Sequence, residues 1–592
     1  MGLNWSLKEI YSSFEGEDFI GDLKRVDELS ESYKKLVDVI CASHEDEKNK
    51  LEDFINKSIE VESLFSRLFS FVNLTLSVDT KNKAALKYSD ILHEKNSAFA
   101  EPKANIEKWI GEISAIDKLI NSSNLLKEHE FYLNEIVQGS KYLLSDKEEA
   151  VIAKLRNTGS NSWSKLRDLL TSTVLVDIEV DGEVKALPLT VVRNMAYDKD
   201  LKVRKNAYEA ELKAYKKVDA GIAAALNGIK GEVITLAKLR GYESPLEETL
   251  INSRMDEESL EAMLTAMKES LPTFRKYLRR KAELLGYKNG LPFYDLFAPM
   301  GDADMDFPYE KGQKFVEDNF RTFSDNLADF ARTAFDNDWI DVMPKEGKVG
   351  GAFCSNLHFI KQSRVLLNYG NNFGDVVTLA HELGHGYHDD CVKDKSVLNS
   401  DYPMPIAETA STFCETIVKK AAIKTATKEE AFSILETEIG DCTQVIVDIY
   451  SRFLFESELF RRREESALSA EDLNEIMLKA QKDSYGDGLD PEYLHPYMWA
   501  CKPHYYDAEY NFYNFPYAFG LLFAKGLYAE YLKRGEEFVK VYDELLASTG
   551  DRKIADVTKI IGVDIHSVDF WRSSLKIIEE DIERFIELSN QK

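Results

Sequence analysis

Near the start of the chain, Leu23, Val26, Leu29, Tyr33, Leu36, Val37 and Ile40 recur at three- and four-residue intervals between charged positions. That spacing lines one face of a helix, and it predicts an amphipathic helix packed on a core. Similar stripes continue to about residue 170, with a polar break at GSNSWS (159–164). The period then shortens to two in TVLVDIEVDGEVKALPLT (173–190), with Asp181-Gly182 between the halves, which predicts a β-hairpin. From about residue 200 the helical period resumes and persists, interrupted once by GGAFCSNLHFIKQSRVLLNYGNNFGD (350–375). There Ser363–Tyr369 reads as a strand flanked by glycines and asparagines, and Asp375 as the N-cap of a helix carrying VVTLAHELGHGYHDD. A free edge on that strand would suit an extended peptide; the plainer alternative is a small buried sheet with no ligand role. The pattern predicts a mostly α protein. The hairpin is the natural boundary between an N-terminal helical region (1–190) and a catalytic region (191–592). No internal repeat or low-complexity tract stands out.

Composition changes this picture little. Only 14 prolines and 30 glycines in 592 residues fit long uninterrupted helices. The net charge of −28 disfavours nucleic acid and anionic lipid as partners. Six scattered cysteines with no CxxC pair suit a reducing compartment. No secretory signal and no apolar run long enough to span a bilayer are visible. Gly2 and Ser6 match the bare myristoylation pattern, but no polybasic stretch follows to supply a second anchor. A cytoplasmic protein without membrane attachment is expected.

The chemistry concentrates in His381-Glu382-Leu383-Gly384-His385. Residues four apart share a helix face, so both imidazoles can point at one ion. Zn²⁺ favours such nitrogen ligands, a catalytic site leaves one position to water, and Glu382 would sit beside that water as its base. With ten histidines in the chain, about 0.02 chance occurrences of the pattern are expected. Cys391 occupies the place of a metzincin's third histidine, so the third ligand lies elsewhere. His388, Asp389, Asp390, Glu408 and Glu415 are the candidates. His388 follows on the same straight helix and reads as a neighbour that packs or hydrogen-bonds. PIAETASTFCETIVKKAAIK (405–424) predicts a second helix offering Glu408 and Glu415 two turns apart. Small residues around Glu408 permit close approach, and Glu415 could instead orient a ligand imidazole. Spacing favours Glu408 without excluding Glu415.

LLNYGNNFGDVVTLAHELGHGYHDD, followed by PIAETASTFCE and by HPYMWACKPHYYDAEYNFYNFPYAFGLLFAKGLYAEYLKRG (495–535), resembles the oligoendopeptidase F branch of the thimet-oligopeptidase family of metallopeptidases. The resemblance runs more loosely from the hairpin to near the C-terminus. It implies two helical lobes enclosing a deep substrate channel, with a small β element beside the HExxH helix and one Zn²⁺ at the channel floor. Such a channel would admit short unstructured peptides and exclude folded proteins. Position by position, His381, His385 and Glu408 match the family's zinc ligands and Glu382 its catalytic base. A His and a Tyr from the aromatic segment near residue 500 assist the oxyanion in the family. His504 and Tyr513 match best, with Tyr506 next, although most aromatics there would equally suit a core. The implied activity is hydrolysis of internal peptide bonds through a zinc-bound water. A metallocarboxypeptidase, a catalytically silent peptide binder of the same fold and a structural zinc protein are the alternatives.

Overall fold

The computed structural model describes residues 3–180, 182–301 and 305–591. Gly2 of the myristoylation pattern and Asp181 of the hairpin turn lie outside them. The described chain is mostly helical, with one two-stranded and one three-stranded sheet. The first stripe forms the helix Glu17–Cys41, burying Val26, Leu29, Tyr33, Val37 and Ile40. GSNSWS is a much shorter interruption than its polarity suggests. Gly159 alone separates the helices Asp146–Thr158 and Ser160–Thr173, because Glu232 accepts hydrogen bonds from the Ser160 amide and hydroxyl at 2.9 and 2.7 Å. Strands β1 (Leu175–Val180) and β2 (Glu183–Pro188) form the expected antiparallel hairpin, with Gly182 at φ +81° supplying the left-handed turn conformation.

The chain divides into two compact units, each made of three segments: Met1–Leu143, Asp304–Ala421 and Glu530–Val563 in the first, and Leu144–Ala303, Ala422–Ala529 and Asp564–Lys592 in the second. The core of the first gathers the apolar faces of its N-terminal helices with Leu357 and Leu366. Its sheet contains β3 (Ile340–Asp341), β4 (Phe353–Leu357) and β5 (Gln362–Leu366) in the order β3-β5-β4. The strand read at 363–369 is therefore central. β3 pairs with it in parallel at Val365 and Leu366, and β4 pairs antiparallel from Gln362 to Leu366. Its main chain is occupied on both sides, so the expectation that this strand offers a free edge is wrong; β4 is an outer strand. The helix Phe373–Val392 packs on β4 and β5 and against the helices Tyr309–Arg321 and Glu536–Ala547.

The second unit centres on the buried faces of the helices Leu201–Tyr215, Asp219–Arg240 and Ala470–Tyr485, with Trp499 and Tyr505. Three of its buried lysines are paired with carboxylates: Lys230 with Glu456 at 3.0 Å, Lys281 with Glu436 at 2.7 Å, and Lys525 with Glu438 at 2.6 Å. Pairing is what makes such burial tolerable, since removing one partner would leave an isolated charge away from water.

Candidate metal centre

The helix Phe373–Val392 starts one turn earlier than its first charged residue suggests. Asn372 is the N-cap and Asp375 is the third helical residue, the two exchanging hydrogen bonds in a capping box. Asp375 also accepts from the Gly370 amide at 2.7 Å, tying the loop after β5 to the helix. Two turns on, Gly384 allows a neighbouring backbone to approach. A Cβ there would lie 2.6 Å from Ser411 Cα and 2.7 Å from the Ala410 carbonyl oxygen.

That backbone belongs to the helix Thr409–Thr425. The helix expected across 405–424 is broken: a short turn, Met404–Ala407, precedes it, and Glu408 stands at the joint with φ −83° and ψ 4°. The break places Glu408 outside the regular helix, with its carboxylate over the two histidines. Ser411 fixes that carboxylate by donating to Oε2 at 2.9 Å.

His381 Nε2 and His385 Nε2 stand 3.1 Å apart, and Glu408 Oε2 lies 3.3 and 3.4 Å from them. Bonds of about 2.0–2.1 Å in a tetrahedron require ligand atoms ~3.3 Å apart, so one zinc fits this triangle with a position left over. On the other side of its ring, His381 Nδ1 meets Glu415 Oε1 at 2.6 Å. With Nδ1 as donor, Nε2 keeps its lone pair for a metal. Glu415 is itself paired with Lys419 at 2.7 Å. Lys419 escaped the sequence reading, although its i+4 spacing from Glu415 was the available signal.

The electrostatics follow from burial and close charges. Burial would push the His381 imidazole down, but Glu415, Glu382 and Glu408 together hold it above its ordinary value. Burial raises the Glu382 carboxyl and, with smaller help from Glu408 and Glu415, outweighs the opposing pull of His381 and His385, so it sits above the usual range. For Glu408 burial is overcome by His385, His381 and Ser411, which hold it at about 2.

The other candidate ligands face elsewhere. His388 is fully buried, stacked on Tyr402 with ring centroids 3.9 Å apart, and its Nε2 meets Thr549 Oγ1 at 2.8 Å. Asp389 accepts from Tyr402, and Asp390 pairs with Lys393.

His504, Tyr506 and Tyr513 belong to the second unit. The His504 and Tyr513 rings stack at 5.3 Å and 16°. Burial, then Arg452, Lys502 and Arg167, push His504 below its ordinary value, leaving a neutral ring at pH 7. Tyr513 is bracketed by two buried asparagines: Asn511 accepts from Lys230 at 2.8 Å, and Asn514 from Arg452 at 2.9 Å. Phe512 between them is left-handed at φ +51°, a costly conformation for a bulky residue, and its ring is held against Phe453 and Phe460. Tyr506 is buried beneath the Arg167 guanidinium and donates its hydroxyl to the Trp499 carbonyl at 3.1 Å.

A helical fold carrying two imidazoles and one carboxylate in a tetrahedral triangle, with a second carboxylate on the same helix, defines a metallohydrolase of the HExxH type. The sequence pattern of Peptidase family M3 matches residues 194–577, and that of Oligopeptidase F matches residues 112–174. The chain belongs to peptidase family M3, in its oligopeptidase F branch, a family of zinc metalloendopeptidases. It is 26% identical to oligopeptidase PepF of Bacillus subtilis over 99% of this chain and 87% of that one. Identity to an oligoendopeptidase F homolog of Lactococcus lactis is 25%, over 99% and 97%. The fold matches that of oligoendopeptidase-F from Enterococcus faecium with a TM-score of 0.71 at 19% identity, covering 97% of this chain and 99% of that one. Among the described residues, no helix is long and apolar enough to cross a membrane.

Proposed function

We propose that the protein is a zinc oligoendopeptidase that hydrolyses internal bonds of short unstructured peptides. The observation that carries this reading is the 3.1–3.4 Å triangle of His381, His385 and Glu408 with Glu382 on the same helix. A zinc ion held by those three residues would supply Lewis acidity to a water and to the scissile carbonyl. Glu382 Oε accepts the proton of the attacking water and then returns it to the departing amine nitrogen. Its buried carboxyl, raised above the usual range, is suited to taking and giving back a proton. Glu415 holds His381 in the ligating tautomer, and Ser411 holds the Glu408 carboxylate. Family resemblance assigns donors for the oxyanion to His504 and Tyr513. The strain at Phe512 and the two asparagine anchors support a fixed role for Tyr513. Tyr506, its hydroxyl spent on Trp499, is left a packing role. An extended substrate would add to the outer edge of β4, which packs on the HExxH helix. The chemistry is assigned to residues 191–592 and a supporting role to residues 1–190. A cytoplasmic site of action suits the free cysteines.

The test is mass spectrometry of an unstructured peptide of about ten residues, with and without chelator, beside a folded protein. Internal cuts that stop with chelator, return with zinc and spare the folded protein are expected. Glu382→Gln should abolish turnover while zinc stays bound, and His381→Ala should lose both. Stepwise loss of C-terminal residues would replace this reading with a carboxypeptidase. Full activity in Glu382→Gln would remove Glu382 as the base.

A further inference from the structure

The second unit contains a cavity of about 240 Å³ that takes no part in the proposed chemistry. Its polar wall carries more cations than anions. Arg193 Nε answers Glu211 Oε1 at 3.2 Å, and Arg204 answers the buried Asp295 at 2.7 Å. Beside the cavity, Arg452 answers Asp448 at 2.5 Å. Lys502 also lines the cavity, and no described carboxylate lies within ion-pair distance of its ammonium. Burial and then the Arg452 charge pull that ammonium below its ordinary value, only partly offset by Asp448, so the protein holds a cation there at a cost that an anion would relieve. His495, 2% exposed, lines the same space with Nδ1 lacking a hydrogen-bond partner, while its Nε2 lies 3.5 Å from Glu211.

Much of the remaining wall is aromatic, alongside Val192, Ala207 and Met498. Phe293 packs against the His495 ring at 5.1 Å, Tyr294 against Tyr208 at 5.6 Å, and Tyr197 against Phe297 at 4.9 Å. A turn of π-helix, Gln444–Asp448, brings Gln444 to the cavity and Asp448 to Arg452, and such bulges are frequent at functional sites. A cavity of ~150 Å³ can hold a benzene ring, so this one has room for a ring and a short acidic tail.

We propose that this cavity is a second ligand site, taking a small aromatic carboxylate whose ring lies among Tyr197, Phe293 and Phe297 and whose charge meets Lys502. The proposal does not depend on peptide hydrolysis. A water-filled void would satisfy His495, but it would not select for negative charge, and that selectivity is what the test reads.

The probe is 3-phenylpropionate, which has no peptide bond to cleave, with 3-phenylpropanamide as its uncharged counterpart. Both are titrated calorimetrically into the metal-loaded enzyme and into the His381→Ala variant, the latter because a zinc centre can itself bind carboxylate. The acid is expected to bind both proteins alike, with the amide about tenfold or more weaker. Lys502→Met should weaken the acid about tenfold in both backgrounds, with unchanged thermal melting as the check on folding. Tyr197→Ala, at a 62% exposed position that folding tolerates, should weaken acid and amide together by a few-fold. Equal binding of acid and amide, or no binding up to about 10 mM, would overturn the site. So would acid binding that disappears in His381→Ala yet ignores Lys502→Met, since that places the carboxylate at the metal.

Discussion

Glu408 and Glu415 illustrate how far single residues could be read. Both sit on one predicted helix two turns apart, and spacing favours Glu408 without excluding Glu415. What separates them is the break at Glu408, which puts its carboxylate on the metal side of His381 while Glu415 takes the opposite ring nitrogen. A backbone joint of that kind has no hydrophobic signature. Glu415→Gln should leave the ligand set intact but weaken its orientation, lowering zinc affinity about 10–100-fold in chelator competition. Unchanged affinity would show that the hydrogen bond contributes nothing to metal binding. His388 carries a different consequence. Burial pushes its imidazole from the ordinary 6.5 to about 3. Below pH ~6.5 the unfolded chain therefore takes up a proton that the folded chain refuses. This contribution to stability is full above pH ~6.5 and falls as pH drops towards about 3, by up to ~1.4 kcal/mol per pH unit. Melting of metal-stripped protein between pH ~5 and ~7.5 should decline less steeply for His388→Gln than for the parent.

At the scale of elements, the long amphipathic helices and the hairpin were legible because their periods, 3.6 and 2, extend over many residues. The three-stranded sheet was legible only in part. β5 ends within the apolar run Val365–Leu367, but β3 is two residues long and β4 reads FCSNL, with no alternation to mark it. Without visible neighbours, a central strand looks like an edge. The contact at Gly384 was equally silent, since a glycine inside a helix says nothing of what approaches it. Gly384→Ala would drive a methyl into the Ala410–Ser411 backbone. Displacing that backbone should cost about 1–3 kcal/mol in urea unfolding and should also weaken zinc binding, because Glu408 moves with it. A loss of stability with undiminished zinc affinity would uncouple Glu408 from the helix contact.

At the scale of the molecule, the net charge of −28 acts on whatever approaches. Cationic peptides should show a higher kcat/KM than matched anionic ones at low salt, converging as ionic strength rises from ~0.02 to ~0.5 M. A gap that persists at high salt would assign the preference to local contacts instead. The grouping of three segments into each unit could not be read, because periodicity reports local structure and is blind to which distant stretches share a core.

That grouping also sets a clock on the ribosome. The HExxH helix rests on a helix from the unit's last segment, and His388 and Thr549, which meet there, are 161 positions apart. At ~5–20 residues per second, roughly 8–32 s of synthesis pass between the two. Through that interval the emerging polypeptide is itself a long unstructured chain, the kind of material the finished enzyme is proposed to cut. Because the brace behind the metal helix arrives so late, a nascent copy completes the packing behind its HExxH motif only after that interval.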